Sequence, residues 1–250
     1  MRSLRAALLT LAALSAPAQT LRVAAAASLH GALDEAASSF EAAHAGVKVQ
    51  ISYGASGSLA AQIQQGAPFD LFLAADMDYP AKAAANGHGR GAVFTYAEGR
   101  LTLWARKDLG LDPAKLGLAL LKDPRVVHIA VADPKLAPYG AASEAALRSA
   151  GLWETLQPKL VFGSNIGQAA QYLQTDAAEA GFIAAPEAMR GDLAAKGLAW
   201  TVPEALHAPL IQGGVPLSNG AAPQAADAFA AYLRGGSGQA VLARYGFGKP

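Results

Sequence analysis

Apolar and polar positions alternate over short stretches of this 250-residue chain, and alanine-rich runs separate the stretches. Leu21–Ala25 and Val47–Ser52 are examples, and alternating β-branched or apolar residues are typical of strands. The run from about Gly31 to His44 has the composition of a helix. Because strands alternating with helices form βαβ units, the pattern predicts an α/β fold with a mainly parallel sheet.

The same pattern predicts further elements along the chain. Strands are predicted at Phe69–Ala74, Leu101–Ala105, Val126–Ala132, Lys159–Phe162 and Gly181–Ala184, and helices at Gly57–Gln65, Ala141–Ala150, Gly167–Gln174 and Ala222–Arg234. Two segments rich in turn-forming residues, Asn86–Gly91 and Gly213–Gly220, are predicted to be loops. The high alanine content blurs the hydrophobic periodicity, so the pattern defines the helix ends less sharply than the helices themselves.

The first 18 residues have the pattern of a secretory signal peptide. Arg2 and Arg5 precede the apolar run Ala6–Leu14, and small residues at Ala16–Ala18 suit a cleavage site near Ala18. The apolar run is shorter than the roughly 20 residues that span a bilayer, so we expect a cleaved signal rather than an anchor. The alternative is a buried N-terminal helix. A cleaved signal predicts a periplasmic protein.

Charge and cysteine content narrow the classes of function. The whole chain has a formal charge of +1, and removal of residues 1–18 leaves 18 basic and 19 acidic residues. A near-neutral chain without a basic block lacks the electrostatic signature of nucleic-acid binding. The absence of cysteine excludes disulfides, thiolate metal sites and a lipid-modified cysteine. The whole sequence has 52% hydrophobic residues, which is ample for a packed core, and the length of the mature chain allows one large domain or two smaller ones.

Four predicted strands end in loops rich in serine, glycine or proline, and a predicted helix follows each loop. These loops are Ala25–Leu29, Tyr53–Leu59, Ala132–Gly140 and Phe162–Gly167. The first N–H groups of a helix lack partners and carry partial positive charge, so several helix starts in one cleft can hold a dianion without arginine or lysine. Taken singly, a serine before a helix is also an ordinary N-cap, and the spacing alone leaves both roles open.

Six segments, in this order, resemble the periplasmic molybdate-binding proteins of ABC transporters. They are Val23–Leu29 (VAAAASL), Ser52–Ile63 (SYGASGSLAAQI), Gly66–Asp76 (GAPFDLFLAAD), Val131–Tyr139 (VADPKLAPY), Trp153–Leu160 (WETLQPKL) and Arg244–Gly248 (RYGFG). The resemblance implies a type II periplasmic-binding-protein fold, in which two Rossmann-like lobes with mainly parallel sheets are joined by two crossover strands. It places lobe 1 at residues 19–98 and 210–250, and lobe 2 at residues 99–209.

The resemblance also implies which residues bind the oxyanion. Ser28 and Ser56 match the two serines of the family, each of which gives a hydroxyl and a backbone N–H. Tyr139 and Ile166 match positions that give a backbone N–H. Many family members have a further tyrosine where this chain has Ala184, and others carry a tyrosine in a Pro-Tyr-Gly loop, as here. We therefore expect the Tyr139 hydroxyl to supply the missing donor, and the alternative is a ring that only covers the cleft.

The ligand implied by the resemblance is molybdate or tungstate, bound as the oxyanion without direct coordination of the metal, and no cofactor is expected. These dianions only accept hydrogen bonds at neutral pH, so a site made of N–H and O–H donors suits them. Asp76 and Asp133 also lie at strand ends, but a carboxylate would repel a dianion, so we expect them to cap local structure instead. The expected partner is an ABC transporter permease, and the protein is expected to be a monomer.

Other functions remain open at this point. A binder of sulfate or phosphate would need a similar site, and sulfate differs from molybdate mainly in size. A serine hydrolase would use Ser56, because Gly54–Ser58 approaches the G-x-S-x-G motif although Ser58 replaces its second glycine. The five histidines, at positions 30, 44, 88, 128 and 207, show no metal-binding spacing and no triad motif. A secreted adhesion or regulatory module that has lost its ligand is a third possibility.

Overall fold

The computed structural model describes residues 19–189 and 191–250, so the predicted signal segment lies outside the described residues. Ten strands in these ranges form two five-stranded sheets. The first sheet contains β1 (Gln19–Ala26), β2 (Val47–Gly54), β3 (Leu71–Ala74), β4 (Phe94–Gly99) and β10 (Leu210–Pro216), and the second contains β5 (Leu101–Arg106), β6 (Ile129–Ala132), β7 (Leu160–Gly163), β8 (Ala180–Ala184) and β9 (Gly197–Thr201).

Helices cover both sheets. Within the described ranges these are α1 (Ala32–Ala43), α2 (Ser56–Gln64), α3 (Asp78–Ala85), α4 (Pro113–Leu116), α5 (Pro138–Ser149), α6 (Trp153–Leu156), α7 (Ile166–Gln174), α8 (Ala185–Ala188), α9 (Gly191–Lys196), α10 (Pro223–Arg234) and α11 (Gly236–Arg244). A 3-10 turn, Ala27–Leu29, follows β1 directly. None of the helices described here has the length and apolar composition that a membrane crossing requires.

The two sheets have the same topology. Their strand orders are β2-β1-β3-β10-β4 and β7-β6-β8-β5-β9. In each sheet the first three strands are parallel, and the fourth is antiparallel to both of its neighbours. Four of the five strands in each sheet therefore run in one direction. This confirms the predicted α/β class with two mainly parallel sheets.

The chain passes between the sheets twice. The first crossover is at Arg100, between β4 and β5, and the second runs from the end of β9 to the start of β10. In each sheet the antiparallel strand adjoins a crossover: β5 follows the first, and β10 follows the second. We use lobe 1 for the first sheet with its helices and lobe 2 for the second. The expected lobe limits, at residues 98/99 and 209/210, stay a prediction.

Buried aromatic side chains hold the helices against each sheet. In lobe 1, Phe40 of α1 meets the edge of Phe229 of α10, with ring centroids 5.0 Å apart. In lobe 2, Trp104 of β5 is fully buried, and its indole N–H donates to the carbonyl of Leu193 at 2.9 Å. These contacts satisfy a buried polar group and exclude water, so they hold α1 against α10 and α9 against β5.

The prediction of a loop at Gly213–Gly220 is wrong for its first half, because β10 is a central strand that ends at Pro216. A Cβ atom at Gly213 would lie 2.5 Å from Met77 Sδ, and one at Gly214 would lie 2.7 Å from the Phe94 ring. The two glycines therefore allow close packing of a buried strand rather than a turn.

Two predicted boundaries are also corrected. Strand β6 begins at Ile129 rather than Val126, since the N–H groups of Val127 and His128 donate to the Glu179 carboxylate at 3.0 and 2.7 Å instead of pairing with a strand. Helix α5 begins three residues before the predicted Ala141. Pro138 occupies its first position, where a missing N–H costs no hydrogen bond.

A buried carboxylate ties distant parts of lobe 1 together. Asp70 accepts hydrogen bonds from the N–H of Arg22 in β1 and from the N–H of Ala222 before α10, both at 2.6 Å. The side chain is almost completely buried. It therefore joins the start of the chain's first strand to a helix that lies more than 150 residues later.

Asp70→Asn is expected to destabilise the protein by about 1–3 kcal/mol, because the amide cannot accept from both N–H groups without presenting its own NH₂ to one of them. The measurement is the free energy of unfolding in urea. Asp108→Asn is the control, since Asp108 forms an exposed ion pair with Arg106 and should contribute little. Equal stability of the two variants would contradict the role of Asp70.

Candidate functional site

A small cavity lies between the lobes, where the carboxyl ends of strands from both sheets meet. The structure brings all four predicted binding residues together in its wall: Ser28 and Ser56 from lobe 1, and Tyr139 and Ile166 from lobe 2. Their role as ligand-binding residues stays a prediction. The other lining residues are Ala26, Ala27, Gly54, Ala55, Ala75, Ala137, Pro138 and Asn165, none of which is charged.

Three of the helical starts at this cavity have alanine as the N-cap residue. Ala26 precedes the turn Ala27–Leu29, Ala55 precedes α2 and Ala137 precedes α5, and none of the three starts has a side-chain cap. Alanine is among the poorest N-cap residues because its side chain cannot accept from the exposed N–H groups. First-turn N–H groups also have no acceptor within their own helix. These starts therefore leave donors available to an anion in the cavity.

The fourth start, that of α7, is capped in a way that spares its first N–H. The Asn165 side chain accepts from the N–H of Gln168 at 3.0 Å, and the Gln168 side chain accepts from the N–H of Ser164 at 2.6 Å. Ile166, the first residue of the helix, takes no part in this exchange and lines the cavity. Its backbone N–H is thus oriented by a capped helix without being used by the cap.

The hydroxyl of Ser56 is held as a donor. Ser56 is the first residue of α2 and is 1% exposed. Its Oγ accepts a hydrogen bond from the N–H of Ala75 at 3.0 Å. A hydroxyl that accepts in this way keeps its single proton for another partner, and the cavity is the adjacent space.

The hydroxyl of Ser28 is fully buried and makes no hydrogen bond of normal geometry with the described residues. It lies near the Tyr139 hydroxyl, close enough to act against the rise in the pKa of that phenol. Leaving a buried hydroxyl without a full partner costs about 1–3 kcal/mol. A buried hydroxyl without a full partner, in the wall of a cavity, is what a binding site for a hydrogen-bond acceptor requires.

Tyr139 is also buried, and its hydroxyl accepts from the side-chain N–H of Gln212 at 3.2 Å. Burial raises the pKa of Tyr139 above its ordinary value, and the charge of Glu187 adds to the rise. The phenol is therefore protonated at neutral pH and can donate. The ring is buried in the structure, and the role of its hydroxyl as a ligand donor stays a prediction.

Ala184, the position at which the resemblance implies a tyrosine in many family members, lies at the buried end of β8 and pairs with Leu101. The Tyr139 hydroxyl reaches nearly the same place from α5: a Cβ atom at Gly99 would overlap it, and the N–H of Arg100 lowers the pKa of Tyr139. The two positions therefore lie beside the same short crossover segment.

The lobes touch directly beside the cavity. The N–H of Gly57 in α2 donates to the carbonyl of Leu136 in lobe 2 at 2.9 Å. A Cβ atom at Gly57 would lie 2.6 Å from the Tyr79 hydroxyl and 2.9 Å from that carbonyl. Glycine is thus required for this approach of the lobes, and the cleft is closed in the structure.

The two aspartates at strand ends cap local structure, which confirms the expectation for both. Asp76 accepts from the N–H of Tyr79 at the start of α3, at 3.1 Å, and burial raises its pKa. Asp133 accepts from the N–H of Lys135 at 2.9 Å. Neither carboxylate lines the cavity.

Ser56 has no base beside it in the described structure. The cavity wall contains no histidine and no carboxylate, and the Ser56 oxygen accepts from an amide N–H. A serine nucleophile needs a group that takes its proton, usually an imidazole held within hydrogen-bonding distance. The geometry therefore does not support the hydrolase alternative.

The comparisons with known proteins agree with this geometry. A family model described as bacterial extracellular solute-binding protein matches residues 21–248. The chain belongs to this family. The molybdate-binding protein ModA of Azotobacter vinelandii is 40% identical over 239 residues, which covers 95% of this chain and 93% of that protein.

Solved structures show the same likeness. The periplasmic molybdate-binding protein of Azotobacter vinelandii superposes with a TM-score of 0.84 at 32% identity, over 92% of this chain and 99% of that chain. The sulfate-binding protein SubI of Mycobacterium tuberculosis H37Rv superposes with a TM-score of 0.76 at 16% identity, over 92% of this chain and 86% of that chain. At that identity the second likeness concerns the fold alone. The predicted resemblance to molybdate-binding proteins and the two-lobed fold are both confirmed.

Sequence reasoning missed two polar residues of this solute-binding protein that lie behind the cavity. Gln212 is fully buried in β10, and Tyr96 in β4 donates toward its amide oxygen at 3.0 Å. The available signal was weak: Gln212 is a polar residue next to apolar and glycine positions in a segment interpreted mainly as a crossover and loop. The alanine N-caps were visible in the sequence, but only the structure shows that their helices meet.

The two serines are expected to respond differently to alanine in the ligand-free protein. Ser56→Ala leaves the buried N–H of Ala75 without its acceptor and should lower the free energy of unfolding by about 1–3 kcal/mol. Ser28→Ala removes a hydroxyl that lacks a full partner and should leave the stability unchanged or slightly higher. Urea unfolding of the two matched variants tests this, and an equal loss in both would mean that Ser28 is held by a protein partner.

Proposed function

We propose that this protein captures molybdate or tungstate in the cavity between its lobes and delivers the oxyanion to the permease of an ABC transporter. The names of two relatives support the ligand, because proteins 40% and 39% identical to this chain, over 95% and 81% of it, are molybdate-binding proteins. The proposed binding residues are Ser28, Ser56, Tyr139 and Ile166. They would bind the oxyanion through its oxygen atoms, without direct coordination of the metal and without a cofactor.

The observation that carries this proposal is a cavity wall that offers hydrogen-bond donors and no charged acceptor. The cavity wall combines two buried serine hydroxyls, a buried protonated phenol and four helical starts with unused N–H groups, and it contains no charged side chain. A fully deprotonated tetrahedral dianion can accept at every oxygen, so it satisfies such a wall. Helix starts supply the partial positive charge that offsets the dianion.

The same wall supports discrimination against phosphate. Hydrogen phosphate carries a proton that needs an acceptor, and an unmatched buried polar group costs about 1–3 kcal/mol. Sulfate is also acceptor-only, so its exclusion rests on size: the larger metal oxyanions reach donors of both lobes at once. Molybdate and tungstate are nearly equal in size, and the proposal therefore includes both.

Binding is proposed to close the cleft. Ser28 and Ser56 lie on lobe 1, whereas Tyr139 and Ile166 lie on lobe 2, so an oxyanion that bonds to all four holds the lobes together. The proposed moving units are residues 19–98 with 210–250, and residues 99–209. The closed monomer would then present both lobes to the permease.

Export is part of the proposal. A signal peptide at residues 1–18, cleaved near Ala18, would release the mature protein to the periplasm, where the capture of scarce oxyanions precedes their transport. The related structure from Azotobacter vinelandii is that of a periplasmic protein, which supports this location.

Thermal unfolding with four oxyanions tests the ligand. Molybdate or tungstate at about 100 times its dissociation constant should stabilise the protein by about 2.7 kcal/mol and raise its melting temperature, because it binds only the folded state. Sulfate and phosphate at the same concentration should give a much smaller rise. A shift with sulfate and none with either metal oxyanion would replace the proposed ligand by sulfate.

Tyr139→Phe tests the phenol as a donor. Loss of a hydrogen bond to a charged group, about 1.5–3 kcal/mol, should weaken molybdate binding roughly 10- to 100-fold in titration calorimetry. Tyr232→Phe is the control, since Tyr232 packs on Phe229 and Phe40 far from the cavity wall. If Tyr139→Phe binds as tightly as the control, the hydroxyl is not a ligand donor.

A further inference from the structure

Behind the cavity, three buried side chains form a chain of hydrogen bonds. The Tyr96 hydroxyl lies 2.8 Å from the carbonyl of Ala74 and 3.0 Å from Gln212 Oε1, and Gln212 Nε2 donates to the Tyr139 hydroxyl at 3.2 Å. All three side chains are at most 1% exposed. Gln212 does not line the cavity itself. It therefore contacts the site only through Tyr139.

A proton count shows what this arrangement does to Tyr139. A phenol has one proton and can accept at its oxygen. Here the oxygen accepts from Gln212 Nε2 at 3.2 Å. With that donor directed at the oxygen, the Tyr139 proton has to point away from Gln212, and Tyr139 lines the cavity together with Ser28.

The orientation of the amide decides this direction. If the Gln212 amide were turned over, Oε1 would face Tyr139 and accept its proton, so the hydroxyl could not donate into the cavity. In the orientation that the structure shows, Nε2 faces Tyr139 and Oε1 faces the Tyr96 hydroxyl, whose single proton has the Ala74 carbonyl as a second acceptor at 2.8 Å. The donor direction of Tyr139 thus depends on which end of the Gln212 amide faces it.

We propose that Gln212 is a positioning residue whose amide N–H directs the Tyr139 proton into the oxyanion cavity. This inference rests on the proposed function. It adds a link between the lobes, since Gln212 belongs to β10 of lobe 1 and Tyr139 to α5 of lobe 2. A residue of lobe 1, which follows the second crossover, therefore determines the direction in which a hydroxyl of lobe 2 donates.

A double-mutant cycle on the full mature chain tests the positioning role. Molybdate affinity is measured by titration calorimetry for the wild type, Gln212→Met, Tyr139→Phe and the double variant. Methionine keeps the approximate volume without an amide. Gln212→Met should weaken binding about tenfold in the wild-type background and less than about twofold in the Tyr139→Phe background, because its effect passes through the Tyr139 hydroxyl.

Each other outcome has a definite meaning. An equal loss in both backgrounds would show that Gln212 supports the crossover or the lobe packing and would overturn the positioning role, as would no loss in either background. A Tyr139→Phe variant with wild-type affinity would overturn it too. The wild-type titration comes first: if molybdate does not bind there, the proposed function itself fails and the inference falls with it.

Gln212→Glu gives a second readout that a merely structural role would not produce. At pH 8 the introduced carboxylate can only accept, so it takes the Tyr139 proton and repels the dianion, and binding should be weaker than in Gln212→Met. At pH 6 the buried carboxyl is protonated in a larger fraction of molecules and can donate to Tyr139, so the affinity relative to wild type should partly recover. A ratio that is constant between pH 6 and pH 8 would overturn the inference, and urea unfolding verifies that each variant is folded.

Discussion

Backbone N–H groups without partners are the constraint on which this site depends. A helix start usually satisfies such groups with its own N-cap side chain, and alanine at that position makes a helix less stable by roughly 1 kcal/mol. This protein has alanine at three starts that face one cavity. The buried core, whose largest side chains include Phe40, Phe229 and Trp104, supplies the stability, so the donors at these starts remain for the ligand.

A site built from dipoles and hydroxyls has consequences for exchange of the ligand. No arginine or lysine lines the cavity, so each lobe alone offers only part of the donors and no full charge to retain a dianion. Affinity then depends on the closed arrangement, in which Gly57 brings α2 against the Leu136 carbonyl. Opening the cleft therefore releases the oxyanion without the need to break an ion pair.

The sequence alone predicted most of the architecture because its strands are short, apolar and separated by alanine-rich helices. It also placed Ser28, Ser56, Tyr139 and Ile166 through a resemblance that extends over the whole chain, and the structure brings these residues into one wall. The strand at Leu210–Pro216 was missed because Gly213 and Gly214 carry the composition of a turn.

The network behind the site could not be predicted for a related reason. Tyr96 lies 116 residues before Gln212 along the chain, and Tyr139 lies 73 residues before it. Local pattern contains no information on such pairs, since each residue is compatible with an ordinary buried strand or helix. Only the topology, which inserts the last strand beside the first crossover, brings them together.

That insertion also affects how the chain can fold. Strand β10 lies between β3 and β4, so the sheet of lobe 1 has a gap at its centre until residue 216 is available, whereas lobe 2 is formed by one continuous stretch of chain. Long-range pairing of this kind slows folding because a large loop must close first. The N-terminal third of the protein therefore remains without a complete sheet during synthesis until the strand that completes it has been made.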